Sequence, residues 1–450
     1  MVGSRKPAPA EPGFVLATLR AELAAHVPAG ARIAVGLSGG VDSVVLLHAL
    51  KRLEAQHGHR LSAVHVHHGL SPRADDWAAF CVRYCQRLGV PIELARVQVT
   101  PAGRGLEAAA RVARYQVFAA LSVDFVALAH QLDDQAETVL HHLLRGSGPD
   151  GLAGMPVERA LPGGRVRLLR PLLSLPRAAI EAYAVREGLS WVEDDSNLDP
   201  SLTRNYLRRQ VLPLVEARFP AWRETVARSA RLCAEAAGLL QQLARLDAEA
   251  ATTQGGLGLE ALRRLDRPRA RNLLRFYLRD QGAAQWSQAR LEAVLDQLLG
   301  AGADNRIDIA LAQGRLRVWR GRVWCVPPAP STPAEPVPWR GEHLLAFGAG
   351  CLRFEPAVGA GVSRARLMQA PVSVRLRRGG ERLQPDCARP RRSLKHLWQE
   401  GGIPPWERAR LPLVYAGEAL VWAAGVGVDC AYQARADEPG LLIAWVPACR

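Results

Sequence analysis

Residues 31–43 read ARIAVGLSGGVDS, and the fold follows from them. Ala31–Leu37 is an apolar run of strand length, broken only by Arg32, which predicts a buried strand. Ser38-Gly39-Gly40-Val41-Asp42-Ser43 ends it, and from Asp42 to Ala55 apolar residues recur at helical spacing. A strand, a glycine turn and a helix start together make an anion cradle. The glycines let the backbone approach an anion closely and adopt positive φ. The helix start offers free N–H groups and the positive end of its dipole. Ser38 and Ser43 add hydroxyl donors. Asp42 repels a bare phosphate, so its presence implies a Mg2+ ion or a structural hydrogen bond.

The same alternation continues outward. Leu61–Val66, Pro91–Val99 and Phe125–Ala129 read as strands; Asp75–Leu88, Leu106–Leu121 and Asp133–Arg145 read as helices. This predicts an α/β domain with a doubly wound parallel sheet, whose ligand lies beyond the carboxyl ends of the strands. Gly146–Gly164 is loop-rich, a helix starts at Pro176 with Ser174 as its cap, and Glu193-Asp194-Asp195-Ser196-Asn197 is a polar turn. The expected organisation is a flexible arm at 1–13, a catalytic domain at 14–218, a helical tRNA-binding domain at 219–325, a linker or irregular segment at 326–365 that is Pro-rich over 326–340, with strands likelier from about 341, and a small, basic α+β domain at 366–450.

Lys+Arg is 58 against 43 Asp+Glu, a net charge of +15. Such an excess points to a polyanionic partner. Only Lys6, Lys51 and Lys395 are lysines, so the charge is almost all arginine, whose planar fork suits phosphate and stacks on bases. The eight cysteines form no CxxC pair and read as reduced thiols. There is no apolar signal region at the N-terminus and no apolar run of membrane-spanning length, so the expected location is the cytoplasm.

The loop has no G-x-x-x-x-G-K-[ST] pattern and is not a Walker-type phosphate loop. SGGVDS resembles the signature of the PP-loop ATP pyrophosphatases, which implies cleavage of ATP between the α and β phosphates. Further segments narrow the resemblance: His65-Val66-His67-His68-Gly69-Leu70, Leu106–Tyr115, Ala129–Thr138, Leu144–Leu152, Glu193–Asn197 and Arg204–Arg208. With Arg377–Arg382, Leu394-Lys395 and Ile403–Arg408 they closely resemble the tRNA(Ile)-lysidine synthetases over about 30–215 and 371–415. That resemblance implies adenylation of the wobble cytosine O2 of a CAU-anticodon tRNA(Ile), displacement of AMP by free L-lysine, and no obligate protein partner.

The residues offer parts for such a reaction. Ser38, Gly39, Gly40, Val41, Asp42, Ser43 and His130 are candidates for ATP; Asp42, Asp133 and Asp134 for Mg2+. The acids at 133 and 134 equally suit a helix start. Glu137 can receive the lysine ammonium or lie on a solvated helix face. Arg111 or Arg114 can bind the lysine carboxylate or a phosphate. Asp133, Asp134 or Glu137 can take the amine's proton, and Arg204 can reach phosphate or base. Between Pro371 and Pro412 ten Arg/Lys face four acids, with Trp398 and Trp406 interleaved. Arg377, Arg378, Arg382, Arg391, Arg392, Lys395 and Arg408 are therefore the candidates for tRNA. The nearest rival is a sulfur-inserting PP-loop tRNA enzyme, which would want catalytic or cluster-binding cysteines near the loop.

Overall fold

A computed structural model describes residues 13–99, 106–161, 163–193, 206–253, 256–283, 286–300, 307–312, 314–328 and 335–447. The chain divides into two compact units, Met1–Leu240 and Gln241–Arg450. No helix among the described residues is long and apolar enough to cross a membrane.

The first unit is built on a six-stranded sheet in the order β3-β2-β1-β4-β6-β5. Its strands are β1 (Arg32–Gly36), β2 (Arg60–His67), β3 (Ile92–Arg96), β4 (Phe125–Ala127), β5 (Glu158–Ala160) and β6 (Arg167–Leu169). All neighbours are parallel except β5 and β6. Its helices are α1 (Phe14–His26), α2 (Val41–His57), α3 (Ala74–Leu88), α4 (Leu106–Ala120), α5 (Leu132–Leu144), α6 (Pro149–Leu152) and α7 (Arg177–Arg186). A π-helical turn at Leu207–Val211 leads into α8 (Leu212–Arg218) and then α9 (Trp222–Ala251).

The strand pattern sets the layers. In β1, Ile33 and Val35 face a core shared with α1, α2, α3 and α7, whereas Ala34 faces a second core under α4. Period-two alternation with both faces buried is what makes these strands read as continuous apolar runs. Helix α2 is apolar nearly all round because it is wedged into the first core, with Val44, Val45, Leu46, Leu47 and Leu50 fully buried. Each such side chain contributes about 1.5–3 kcal/mol. The helix stops at Gly58, whose φ of +79° suits glycine. β2 and β3 lie on one side of β1 and β4 on the other, so the winding reverses between β1 and β4. The loops after these two strands, 37–40 and 128–131, therefore flank the crevice in which such sheets bind ligands.

In the second unit, helices Leu259–Arg264, Arg267–Asp280 and Gln288–Leu299 pack on a five-stranded antiparallel sheet through Leu273, Leu274, Leu295, Leu298, Leu316 and Val323. The segment 326–365, expected as linker or irregular chain, carries strands Val337–Trp339, Leu344–Phe347 and Gly350–Val358. The last pairs along its whole length with Pro439–Pro447. That partner is some ninety residues downstream in sequence, so no local signal marks the pairing. Cys387 and Cys430, expected as thiols, are joined in a disulfide with Cα atoms 5.4 Å apart. Their 43-residue separation carries no spacing signal; the backbone bond from Cys430 N–H to Gln384 O brings the two segments together.

Candidate active site

The loop between β1 and α2 is held by its own serines. Ser38 N–H donates to Ser43 Oγ at 3.2 Å, Ser43 Oγ donates to Gly40 O at 2.9 Å, and the two hydroxyl oxygens lie 3.1 Å apart. Gly39 has φ +92°, and a Cβ there would stand 2.8 Å from Val192 Cγ2. Val192 N–H also donates to Gly39 O at 3.0 Å. Glycine is required at 39 both by conformation and by space.

Asp42 lies in the first turn of α2. Its Oδ1 is buried with no hydrogen-bond partner among the described residues. Burial pushes its carboxyl up to about 6, with Asp134 and Glu181 adding to the rise and Arg177 and Arg208 opposing it. A buried carboxylate oxygen that accepts no hydrogen bond from the described residues, at a ligand crevice, is the kind of group that a cation satisfies.

The loop after β4 carries the other acids, and each has a protein partner. Gln131 and Asp134 close a capping box on α5: Gln131 N–H donates to Asp134 Oδ2 at 3.2 Å, and Asp133 N–H donates to Gln131 Oε1 at 2.6 Å. Asp133 Oδ1 accepts from Arg223 Nε and its Oδ2 accepts from Arg177 N–H at 3.0 Å. The cap of α7 thus comes from Asp133, where the sequence suggested Ser174; Pro176 at the cap position has no side-chain bond. Glu137 is buried and paired bidentately with Arg208, Nε to Oε1 at 2.6 Å and Nη2 to Oε2 at 2.9 Å. Arg208 also reaches Asp134 Oδ1 at 3.5 Å. It sits in the π-helical turn, a rare geometry often found at functional sites.

Arg111 and Arg114 are both exposed on α4. Arg111 donates to Tyr115 Oη at 3.1 Å and stacks over that ring at 5.1 Å. Arg114 lies near His68, at the carboxyl end of β2; burial first, then Arg114, pushes that imidazole down to about 4. His130 is half-buried just past β4. Arg204 and the acids at 194 and 195 lie outside the described residues. Sequence reasoning passed over Arg177 and Arg223, which nothing but their place in three dimensions distinguishes from other arginines. Arg208 stands in the Arg204–Arg208 motif, where the sequence alone gives it no distinct role.

Residues 17–215 match the PP-loop domain, 257–324 the TilS substrate binding domain and 372–445 the TilS substrate C-terminal domain. Over 431 residues the chain is 45% identical to the tRNA(Ile)-lysidine synthase of Nitrosomonas europaea, covering 95% of this chain and 94% of that one. The chain belongs to the tRNA(Ile)-lysidine synthase family. Lysidine synthases of Azoarcus sp. and Ralstonia nicotianae are 44% and 45% identical over 94% and 92% of the chain, and over 94% and 93% of their own lengths.

In this lysidine synthase family member the basic C-terminal segment is not a uniform field of free charge. Arg391 Nη2 donates to the buried Asp429 at 2.9 Å, Arg392 to Glu400 at 2.6 Å, and Arg382 to the Arg391 carbonyl at 2.9 Å. Arg408, expected at the surface, is buried, and its Nε donates to Ile403 O at 2.7 Å. Trp398 is also core: it is fully buried and donates to Ala424 O. Arg378 and Lys395 are exposed and Arg377 is half-buried. Arg375, Arg378, Arg382, Arg391 and Tyr415 line a cavity of about 470 Å³.

Proposed function

We propose that the chain adenylates the C2 oxygen of the wobble cytidine in a CAU-anticodon tRNA(Ile) and that free lysine then displaces AMP, giving lysidine. The observation that carries this reading is the buried, unpartnered Asp42 oxygen beside a pre-formed phosphate loop, in a chain whose relatives are named for that product.

The base oxygen attacks the α-phosphorus of ATP, the bond between the α and β phosphates breaks, and pyrophosphate leaves. An amine of lysine then adds at C2, the C–O bond breaks, and AMP leaves with its electron pair. Ser38–Ser43 and the first turn of α2 bind the phosphates through N–H and hydroxyl donors. Asp42 would hold Mg2+, and the orphaned Oδ1 fits that ion. No group of three His, Cys, Asp or Glu able to hold a metal occurs among the described residues. An ion there would share its coordination with substrate phosphates, which is how Mg2+ is usually bound, and would neutralise their charge.

Asp134 and Glu137 are the seat for the lysine ammonium. Arg208 now balances their charge, so an incoming ammonium exchanges one cation for another without leaving a buried carboxylate bare. Either acid then accepts the proton released as the amine adds. Asp133 has a positioning role, since both of its oxygens are engaged by Arg223 and by the start of α7. Arg114, beside His68 at the carboxyl end of β2, is placed for the lysine carboxylate or a phosphate; Arg111 bonds and stacks on Tyr115. Arg204 remains a candidate for contact with phosphate or base. Arg377, Arg378 and Lys395 contact tRNA phosphates, with Arg382, Arg391 and Arg392 contributing from their ion-paired positions.

The test is incorporation of labelled lysine into CAU-anticodon tRNA(Ile) with ATP, followed by nuclease digestion. A lysine-modified cytidine with one AMP released per lysine is the expected result. AMP release that ignores lysine, or sulfur transfer in its place, would point to the thiolation rival.

A further inference from the structure

Between the paired strands Arg382–Leu383 and Arg392–Ser393 the chain makes a loop, 384–391, whose base borders the cavity lined by Arg378, Arg382 and Arg391. The base is well fastened. Gln384 N–H donates to Asp429 Oδ2 at 3.0 Å, Gln433 Nε2 donates to Pro385 O at 2.7 Å, and Arg391 Nη2 donates to Asp429 Oδ1 at 2.9 Å. The tip is not. Residues 386–390 are all exposed. Among the described residues, their hydrogen bonds and ion pairs stay inside the loop: Ala388 N–H to Asp386 Oδ1, Arg389 N–H to Asp386 O, Gln384 Nε2 to Arg389 O, and the Arg389 guanidinium to the Asp386 carboxylate. What ties the tip to the rest of the domain is the bond between Cys387 and Cys430.

Two features separate this disulfide from a folding staple. It can be reached, because Cys387 is exposed, whereas the thiols of Cys81 and Cys85 are buried. The adjoining core does not contain it: Leu383, Leu394, Trp398, Leu413 and Ala423 pack together without either cysteine. Exposed disulfides are the labile ones, and under a reducing glutathione poise they are transient. We propose that Cys387–Cys430 is a redox switch on RNA binding. Closed, it holds the tip and its exposed Arg389 in one place to receive an RNA phosphate. Open, it releases the tip, which must then be ordered at each binding event. This rests on the reading that the C-terminal domain binds tRNA. The reductant is a thiol of the glutathione class. Its thiolate attacks the exposed Cys387 sulfur, the S–S bond breaks, and Cys430 leaves as a thiolate that takes a proton. A second thiol attacks the mixed disulfide and releases Cys387. Two electrons thus enter the protein, and two reductant thiols become one disulfide.

The test equilibrates the full-length protein in glutathione buffers from fully reduced to fully oxidised. Free thiols are alkylated and mapped by mass spectrometry, and affinity for CAU-anticodon tRNA(Ile) is measured in each buffer. Cys387 and Cys430 should become alkylated together, and Kd should rise on the order of 10-fold over the same interval, the cost of ordering a loop tip and a long side chain. Cys387→Ser should show the weaker affinity in every buffer, with its fold retained by circular dichroism. Arg389→Ala needs no cysteine change: it should weaken binding by the oxidised protein and change little in the reduced one, a coupling that a mere staple would not produce. Equal affinity in the two states, a redox response that survives Cys387→Ser, equal effects of Arg389→Ala in both states, or cysteines that never change state would overturn the proposal. Oxidised protein that binds no tRNA at all would overturn the tRNA reading itself, and the switch with it.

Discussion

Arginine does opposite work in the two halves of this molecule. Around the crevice of the first unit, Arg177, Arg208 and Arg223 converge on acids and balance carboxylates that a substrate will need. In the C-terminal domain, Arg391, Arg392 and Arg408 are tied to Asp429, Glu400 and the Ile403 carbonyl. The first set is a store of charge that can be exchanged. Much of the second is structure. Net charge therefore misleads in both places: it hides the neutralised crevice and overstates the charge left for RNA.

The sharpest way to break this contrast is at Asp42, whose Oδ1 has no hydrogen-bond partner among the described residues. Asp42→Asn keeps the shape and removes the charge. AMP formation should fall about 10³-fold, because a charge-stabilising group at the reacting phosphate is lost. Activity within a few-fold of wild type would take Asp42 out of the site.

Arg208 comes next. Arg208→Ala strands Glu137, whose side chain is 4% exposed, although Arg208 itself is 37% exposed. The expected cost is about 2–3 kcal/mol, reduced from the fully buried case by that solvent contact. If Arg208 is an exchangeable counter-ion, Arg208→Ala with Glu137→Gln should recover much of the stability and none of the lysine transfer. Recovery of both would make the pair purely structural.

Asp42 offers a smaller and differently signed effect on stability. Its folded carboxyl titrates near 6, above its ordinary value, so the charged form costs the fold above that pH. The cost fades as pH falls through 6 toward 4, where folded and unfolded chains both hold the proton. Asp42→Asn should therefore raise Tm at pH 8 by about 2–5 °C, with the gain shrinking toward pH 4.5. Calorimetry at the two pH values measures it. An equal gain at both would mean that Asp42 titrates as a solvated acid.

These differences follow how far each feature is encoded locally. The phosphate loop was legible because strand, glycines, serines and helix are contiguous, and the parallel sheet because each βα unit repeats a local pattern. Strand β6 was missed: three residues just past the Gly-rich stretch give no period to read. The acids at 133, 134 and 137 were found, but their partners were not. Arg177, Arg208 and Arg223 are 44, 71 and 90 residues away from the acids they meet.

The smallest effects separate bound from available arginine within the C-terminal domain. Arg391→Ala removes one of three donors to Asp429, which keeps backbone bonds from Gln384 N–H at 3.0 Å and Ala431 N–H at 3.2 Å. The domain should lose about 1 kcal/mol of stability, and tRNA binding should weaken mainly through that loss. Lys395→Ala, at an exposed position, should leave Tm unchanged, weaken tRNA a few-fold, and reduce the slope of log affinity against log salt by about 1. Filter binding over a salt series, read beside thermal melts, distinguishes the two. If Arg391→Ala changes the salt slope as Lys395→Ala does and leaves the melt alone, then Arg391 belongs to the RNA surface despite its bond to Asp429, and the contrast between the two halves of the molecule narrows accordingly.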